Sequence, residues 1–403
     1  MASESVMSPF SLLIRVMPLW RLAFRPFFLL GALFSLLAML VWGAFWHGDI
    51  LLRPHGGMIW WHQHEMLFGF GAAIVAGFLL TAVQNWTGQR SVQGLPLLAL
   101  VGVWLLGRVL MAYPSGLSAT WLALADTAFL PLTVLALAMP VVRVRQWHNL
   151  IFVPVLGLLA LTNALMHWGV MQGDGQLIRA AAQLAILLIA LLMVVLGGRV
   201  IPFFTSRRLG RPQSARLKWL ELASMGTVMA LVIMQLLSLG VYLPSGAWAG
   251  VALLAAAVNT LRLSRWEGLY CLREPLLWGL HASYAFVCLG LAMWGLAALG
   301  LVAASLALHA ITVGGIGTMM LAMMARVSLG HTGRPILTLP GIGLALRLML
   351  LAAVLRALVP VFWPQVSHWT LSLSILCWVL AFSIFVWHYA KPLSTARVDG
   401  QEG

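Results

Sequence analysis

Of the 403 residues, 62% are apolar and only 8% charged, and the mean hydropathy is +0.97. A soluble domain carries about a quarter charged residues, so soluble enzymes, disordered chains and secreted disulfide scaffolds are excluded and a polytopic membrane protein remains. The net charge of +14, from 24 basic against 10 acidic residues, invites a nucleic-acid reading that the placement of those charges removes.

The first 26 residues hold Arg15, Arg21 and Arg25 among prolines, with no apolar core or small-residue cleavage site. They read as a cytoplasmic segment and not as a cleaved signal peptide, and part of 8–24 suits an interfacial amphipathic helix. Runs of about 20 apolar residues, enough to cross roughly 30 Å of hydrocarbon, then predict twelve transmembrane helices within 27–389: 27–46, 60–83, 95–112, 119–140, 149–170, 177–199, 219–240, 247–263, 276–298, 301–325, 340–360 and 367–389. The fold class is therefore all-α, and 390–403 is a tail. Breaks such as Gln172-Gly173-Asp174-Gly175 carry loop chemistry, whereas Gly300 is the weakest of them. Basic residues gather in the N-terminal segment, in every second loop and in the tail; the opposite loops keep only Arg53, with Arg179 at a helix edge. The positive-inside rule then places both termini in the cytoplasm. The charge reports topology, and no nucleic-acid partner is expected.

Along the spans, ionisable residues are costly and each is a functional candidate. In the second span, Trp61-His62-Gln63-His64-Glu65-Met66 is not a zincin motif, and two residues on a helix are about 200° of rotation. His62 and His64 therefore serve two sites, or the helix begins after His62. Glu65 orients a ligand or sits at the water boundary. Arg108 and Asp126, at similar depth in the third and fourth spans, suit an ion pair, with a proton path or a haem-propionate contact as the alternative. His167 lies in the outer half of the fifth span. The sixth and seventh contain no histidine, and His281 lies a short way into the ninth from the cytoplasm.

The tenth span holds His309 and ends near His331. Segment 309–333 matches 64–88 in having His at its start, Gly five residues on (Gly69, Gly314) and a closing Thr-Gly (Thr87-Gly88, Thr332-Gly333). With a weaker echo in 182–205, this suggests three repeats of four helices and places His64 and His309 at one depth, as a bis-histidine b-type haem requires. Arg347 and Arg356 on the eleventh span reach propionates or snorkel. Cys271, Cys288 and Cys377 form no metal or haem-attachment motif, so any haem is non-covalent. Of the eleven histidines, seven fall in the outer half or outer loops with almost no acid to pair them. Such a set points to haem iron and copper.

The run 61–69, Gly77-Phe78-Leu79-Leu80-Thr81-Ala82-Val83, Asn85-Trp86-Thr87-Gly88, His309-Ala310-x-Thr312-x-Gly314 and 324–334 together resemble the NnrS family, as do Arg21-x-x-Phe24-Arg25-Pro26-Phe27-Phe28 and 199–205. The resemblance implies a bacterial inner-membrane protein with haem b and copper, acting in nitric oxide metabolism and resistance to nitrosative stress. It carries metal-site roles to His62, His64, His281, His309 and His331, and more loosely to His167. A fainter similarity to haem–copper oxidases implies twelve helices in three arcs, but their copper histidines on the sixth and seventh helices are absent here. The reading reached is reduction of nitric oxide (NO) at a haem/copper centre, with Glu65 as catalytic candidate, Arg108 and Arg356 beside the haem, and quinol or another donor supplying electrons. A non-catalytic NO buffer or sensor is the alternative, and a small-solute or metal transporter a further one.

Overall fold

Hydrocarbon offers no hydrogen-bond partner, so each apolar run must satisfy its backbone polar groups within its own helix. In the computed structural model, which describes residues 17–238, 243–337 and 339–401, twelve helices are long and apolar enough to cross a bilayer, and the chain is an integral membrane protein. They are α1 Phe24–His47, α2 Met58–Thr87, α3 Leu95–Ala112, α4 Ala119–Arg143, α5 Trp147–Gln172, α6 Gly175–Leu209, α7 Lys218–Ser238, α8 Ser245–Ser264, α9 Pro275–Ala298, α10 Ala304–His331, α11 Ile342–Phe362 and α12 Pro364–Ser394. No strand occurs among the described residues.

Every expected span is present, and the differences lie at helix ends. α6 continues through Pro202 to Leu209, because a helix can project past the hydrocarbon where hydropathy no longer follows it. The Gly173-Asp174 break forms as its chemistry suggests: Gly173 closes α5 at φ +67°, and Asp174 Oδ1 accepts the Gln176 and Leu177 N–H groups at 2.9 Å to start α6. Gly300 turns the chain at φ +78°. The expected interfacial helix within 8–24 falls largely on residues 1–16, outside the described residues; Pro18–Trp20 is a single 3-10 turn, and α1 already begins at Phe24.

Burial separates an inner set from an outer one. Over their apolar windows α2 and α6 are 78% and 83% buried and α9 and α10 67%, against 33–44% for the other eight. α4 packs on α5, α8 on α9 and α12 on α1, so each group of four helices hands over to the next and the last closes on the first. Arg25 of α1 fastens that closure by donating to the carbonyls of Leu393 (2.9 Å) and Thr395 (2.7 Å). The second helix of each group, α2, α6 and α10, faces the centre.

The internal correspondence has a structural counterpart. α2 widens into a π-helical stretch at Glu65–Gly71, directly after His64, and α10 does so at Ala310–Gly317, directly after His309. A third lies in α11 at Val354–Leu358 and contains Arg356. Such π bulges concentrate at functional sites.

Candidate functional site: two histidine clusters back to back on one helix

The loop before α2 closes with Pro54-His55-Gly56-Gly57. Gly56 and Gly57 have φ of +71° and +83°, and a Cβ on Gly56 would stand 2.6 Å from the Trp60 ring, so only glycine allows this approach. The His55 N–H bonds to the Met111 carbonyl at 3.0 Å, fastening the loop to the end of α3. His55 is thereby buried beside α2 although it lies outside the spans. Trp60 stacks flat on His64, with ring centroids 4.4 Å apart and planes within 13°.

His64 points toward α3, α4 and α5. Its Nδ1 lies 2.9 Å from Glu65 Oε1, and its Nε2 2.8 Å from Asn163 Oδ1 and 3.1 Å from Asp126 Oδ2. Arg108 of α3 donates from Nη1 to Glu65 Oε1 at 2.7 Å and from Nη2 to Asp126 Oδ1. Asn163 donates to Asp126 Oδ2 at 2.9 Å. His167, one turn further along α5 and so on the same face, places Nε2 3.1 Å from that oxygen and Nδ1 3.3 Å from His55 Nε2. Single ligand atoms of His64, Asp126 and His167 lie within 4.8 Å of one another, and all three residues are buried. Gly69 makes room for the network, since a Cβ there would meet Arg108 Nη1 at 2.8 Å and Glu65 Oε2 at 2.9 Å.

The charges do not cancel. Two carboxylates share one guanidinium, which leaves one negative charge in a desolvated interior. Such a charge is tolerable only when a proton taken up within the cluster, or a metal ion, neutralises it.

His62 faces the other way. Its ring stacks on Trp42 of α1, centroids 4.3 Å apart and planes within 17°, and its Nδ1 is buried without a hydrogen-bond partner. His309 of α10 places Nδ1 2.6 Å from the Ser305 carbonyl, so that nitrogen carries the proton and Nε2 remains as the acceptor. Arg356 stands within electrostatic reach of both imidazoles, and His62 within reach of His309.

Helical rotation has thus divided the sequence candidates. Glu65, His64, Arg108 and His167 meet in one cluster; His62, His309 and Arg356 make up the other, standing within electrostatic reach of one another. His64 and His309, expected to face each other across one axis, stand in different clusters; the face of α2 turned toward α10 is the one bearing His62. His281 engages the carbonyls of Leu277 (3.0 Å) and Trp266 (3.2 Å) with its two ring nitrogens, and His331 packs on Phe24 at the far end of α10. Neither joins either cluster. Arg108 has its guanidinium taken up by carboxylates, in the ion pair that the depth of Arg108 and Asp126 suggests. Sequence reasoning passed over Asn163, and it held His55 only as one of seven outer-side histidines without placing it in a site. Asn163 was legible as an amide in mid-span four residues before a histidine; which outer-side histidine joins the cluster was not, since only the folded loop brings His55 inward.

The model of the NnrS protein family matches residues 18–397, a stretch that includes every residue of both clusters. The chain belongs to the NnrS family. No curated protein gives a significant match. Membership in the NnrS family places the chain in nitric oxide-related metabolism, and the family's association with haem and copper gives the two histidine clusters their first chemical candidates.

Burial, with the neighbouring His167 and His64 acting in the same direction against Asp126, lowers the pKa of His55 from 6.5 to about 4. His55 is therefore neutral at pH 7, as a ligand must be. In the unfolded chain it takes up its proton as pH falls through 6.5, while the folded protein resists until about 4. Its contribution to stability is thus full above 6.5 and is lost as pH falls from 6.5 toward 4. Metal-free protein should show a falling Tm across that window, and His55→Gln should flatten the profile; an unchanged slope in the variant would count against this placement of His55.

Proposed function

We propose that the chain is a haem- and copper-holding protein of the bacterial inner membrane, both termini cytoplasmic, that reduces nitric oxide: two NO, two electrons and two protons give nitrous oxide and water. The observation that carries this reading is the pair of histidine clusters set back to back on α2, one built around two buried carboxylates and the other around His62, His309 and Arg356. The donor chemistry fits the two groups in different places. Imidazoles with a carboxylate and an uncompensated negative charge suit copper at His64 and His167, with His55 and Asp126 beside them. The orphaned Nδ1 of His62 and the free Nε2 of His309 are the imidazole nitrogens that would hold the haem iron, and Arg356 would stand near to receive its propionates. Together the two groups supply electrons and a coordination position for NO.

The chain's own residues then have defined work. Glu65 holds the Nδ1 side of His64 and Ser305 that of His309, fixing tautomer and ring orientation as partners of metal-bound histidines do. Arg108 keeps Glu65 and Asp126 in place. Trp60 and Trp42 cover the two imidazoles and exclude water. Electrons enter from quinol in the bilayer or from an external donor.

The test uses purified protein: haem and copper content, a dithionite-reduced minus oxidised spectrum, and NO and nitrous oxide followed under excess reductant. A b-type haem spectrum, copper, and one nitrous oxide per two NO consumed are the expected results. A spectrum perturbed by NO with no consumption would replace the reductase by an NO buffer or sensor. Absence of both metals would overturn the reading and restore the transporter.

A further inference from the structure

Where α2, α6 and α10 meet at the centre of the bundle they do not close completely. A cavity of about 80 Å³ lies between them, and its walls are aliphatic, aromatic and thioether groups contributed by all three helices and by Phe28 of α1. Nothing in that lining gives a water molecule the two to four polar partners it needs, so the space stays dry. An apolar cavity of ~150 Å³ holds benzene or xenon; one of about half that volume is too small for a quinone ring or a porphyrin and large enough for a diatomic gas.

Its position relates it to both histidine clusters. Ile316, within the π stretch that follows His309, is part of the wall. Gly71, last residue of the stretch that follows His64, lies against it: a Cβ there would stand 3.6 Å from Ile189 and 3.9 Å from Met320, both wall residues. The cavity therefore abuts the two irregular segments that directly follow the candidate ligands His64 and His309.

We propose that this cavity is a binding site for a small uncharged gas, and that the gas is NO. The identity of the gas rests on the function proposed above; the existence of the site does not. NO partitions into apolar surroundings, and a reaction that joins two NO molecules gains from a second one held beside the first. The chamber on the helix axis keeps a molecule in reach without competing for a ligand position.

Xenon is the probe. Crystals of the full-length protein under xenon pressure should show one bound atom between α2, α6 and α10. The cavity-filling variants Leu192→Phe and Val75→Phe, on different walls, should each lose it, and Met320→Leu should keep it. In metal-loaded protein, NO capture after flash photolysis should slow in the filled variants while the haem spectrum stays as in wild type. Wild-type crystals with no xenon at this place would overturn the proposal whether or not the variants fold, and so would xenon retained in both filled variants. Xenon binds without metal or NO, so the two readings fail separately: xenon bound in a protein that never consumes NO sinks the reductase, and NO consumed without xenon binding sinks the chamber.

Discussion

Replacing Arg108 by methionine should destabilise the protein by about 3–5 kcal/mol, the range observed when one partner of a buried ion pair is removed. Arg108 is 6% exposed and serves two carboxylates that are themselves fully buried. Asp126 keeps Asn163 and His167 in the variant, whereas Glu65 keeps only the Nδ1 of His64, and its Oε2 already has no partner. The loss should therefore fall mainly on Glu65. Arg108→Met combined with Glu65→Gln removes the stranded charge and should recover part of the stability, while Arg108→Met with Asp126→Asn should recover less. Thermal unfolding in detergent, read by size-exclusion recovery and by helical circular dichroism, separates these cases. A single variant as stable as wild type would mean that the network contributes no net stabilisation, as is known for some buried ion pairs.

The membrane architecture was legible because hydropathy over a span-length window has no competing explanation in so apolar a chain. Relative depth was partly legible too: Arg108 and Asp126, placed at similar height in adjacent spans by their distances from the span ends, do meet. Azimuth was not legible. Which way a helix turns its residues depends on packing against all its neighbours, and spans that are apolar all round show no polar stripe to reveal it. The one azimuthal inference available, that His62 and His64 face opposite sides of a helix, follows from helical geometry alone, and in the structure the helix already begins at Met58 with the two rings against different neighbours. It could not say which of the two faces α10. The π stretches were hidden for a related reason: one extra residue per turn shifts the register of a pattern, and Gly69-Phe70-Gly71 or Gly314-Gly315-Ile316 has no pattern to shift.

The back-to-back arrangement predicts that metal content will separate along α2. His64→Ala and His167→Ala should abolish copper while leaving the haem absorbance near wild type; His62→Ala and His309→Ala should abolish haem while leaving copper. Two residues apart in sequence, His62 and His64 would then behave as members of different centres, because each is anchored by different helices: His64 by Asn163 of α5 and Asp126 of α4, His62 by the Trp42 ring of α1. Residues that orient a ligand without binding metal should have graded effects. Asn163→Ala and Glu65→Gln should weaken copper by about 10–100-fold, the usual cost of losing a partner behind a ligand, and should leave haem unchanged. Copper by elemental analysis and haem by its pyridine complex on the same preparations provide the readout. His167→Ala is the safer member of the copper pair, since His64 also packs under Trp60 and its loss removes stacking as well as a ligand. If all four alanine variants lose both groups together, the clusters form one centre and the division assigned to them is wrong. If only the His62 and His309 variants lose anything, the carboxylate-rich cluster is structural, and its charge is neutralised without a metal ion.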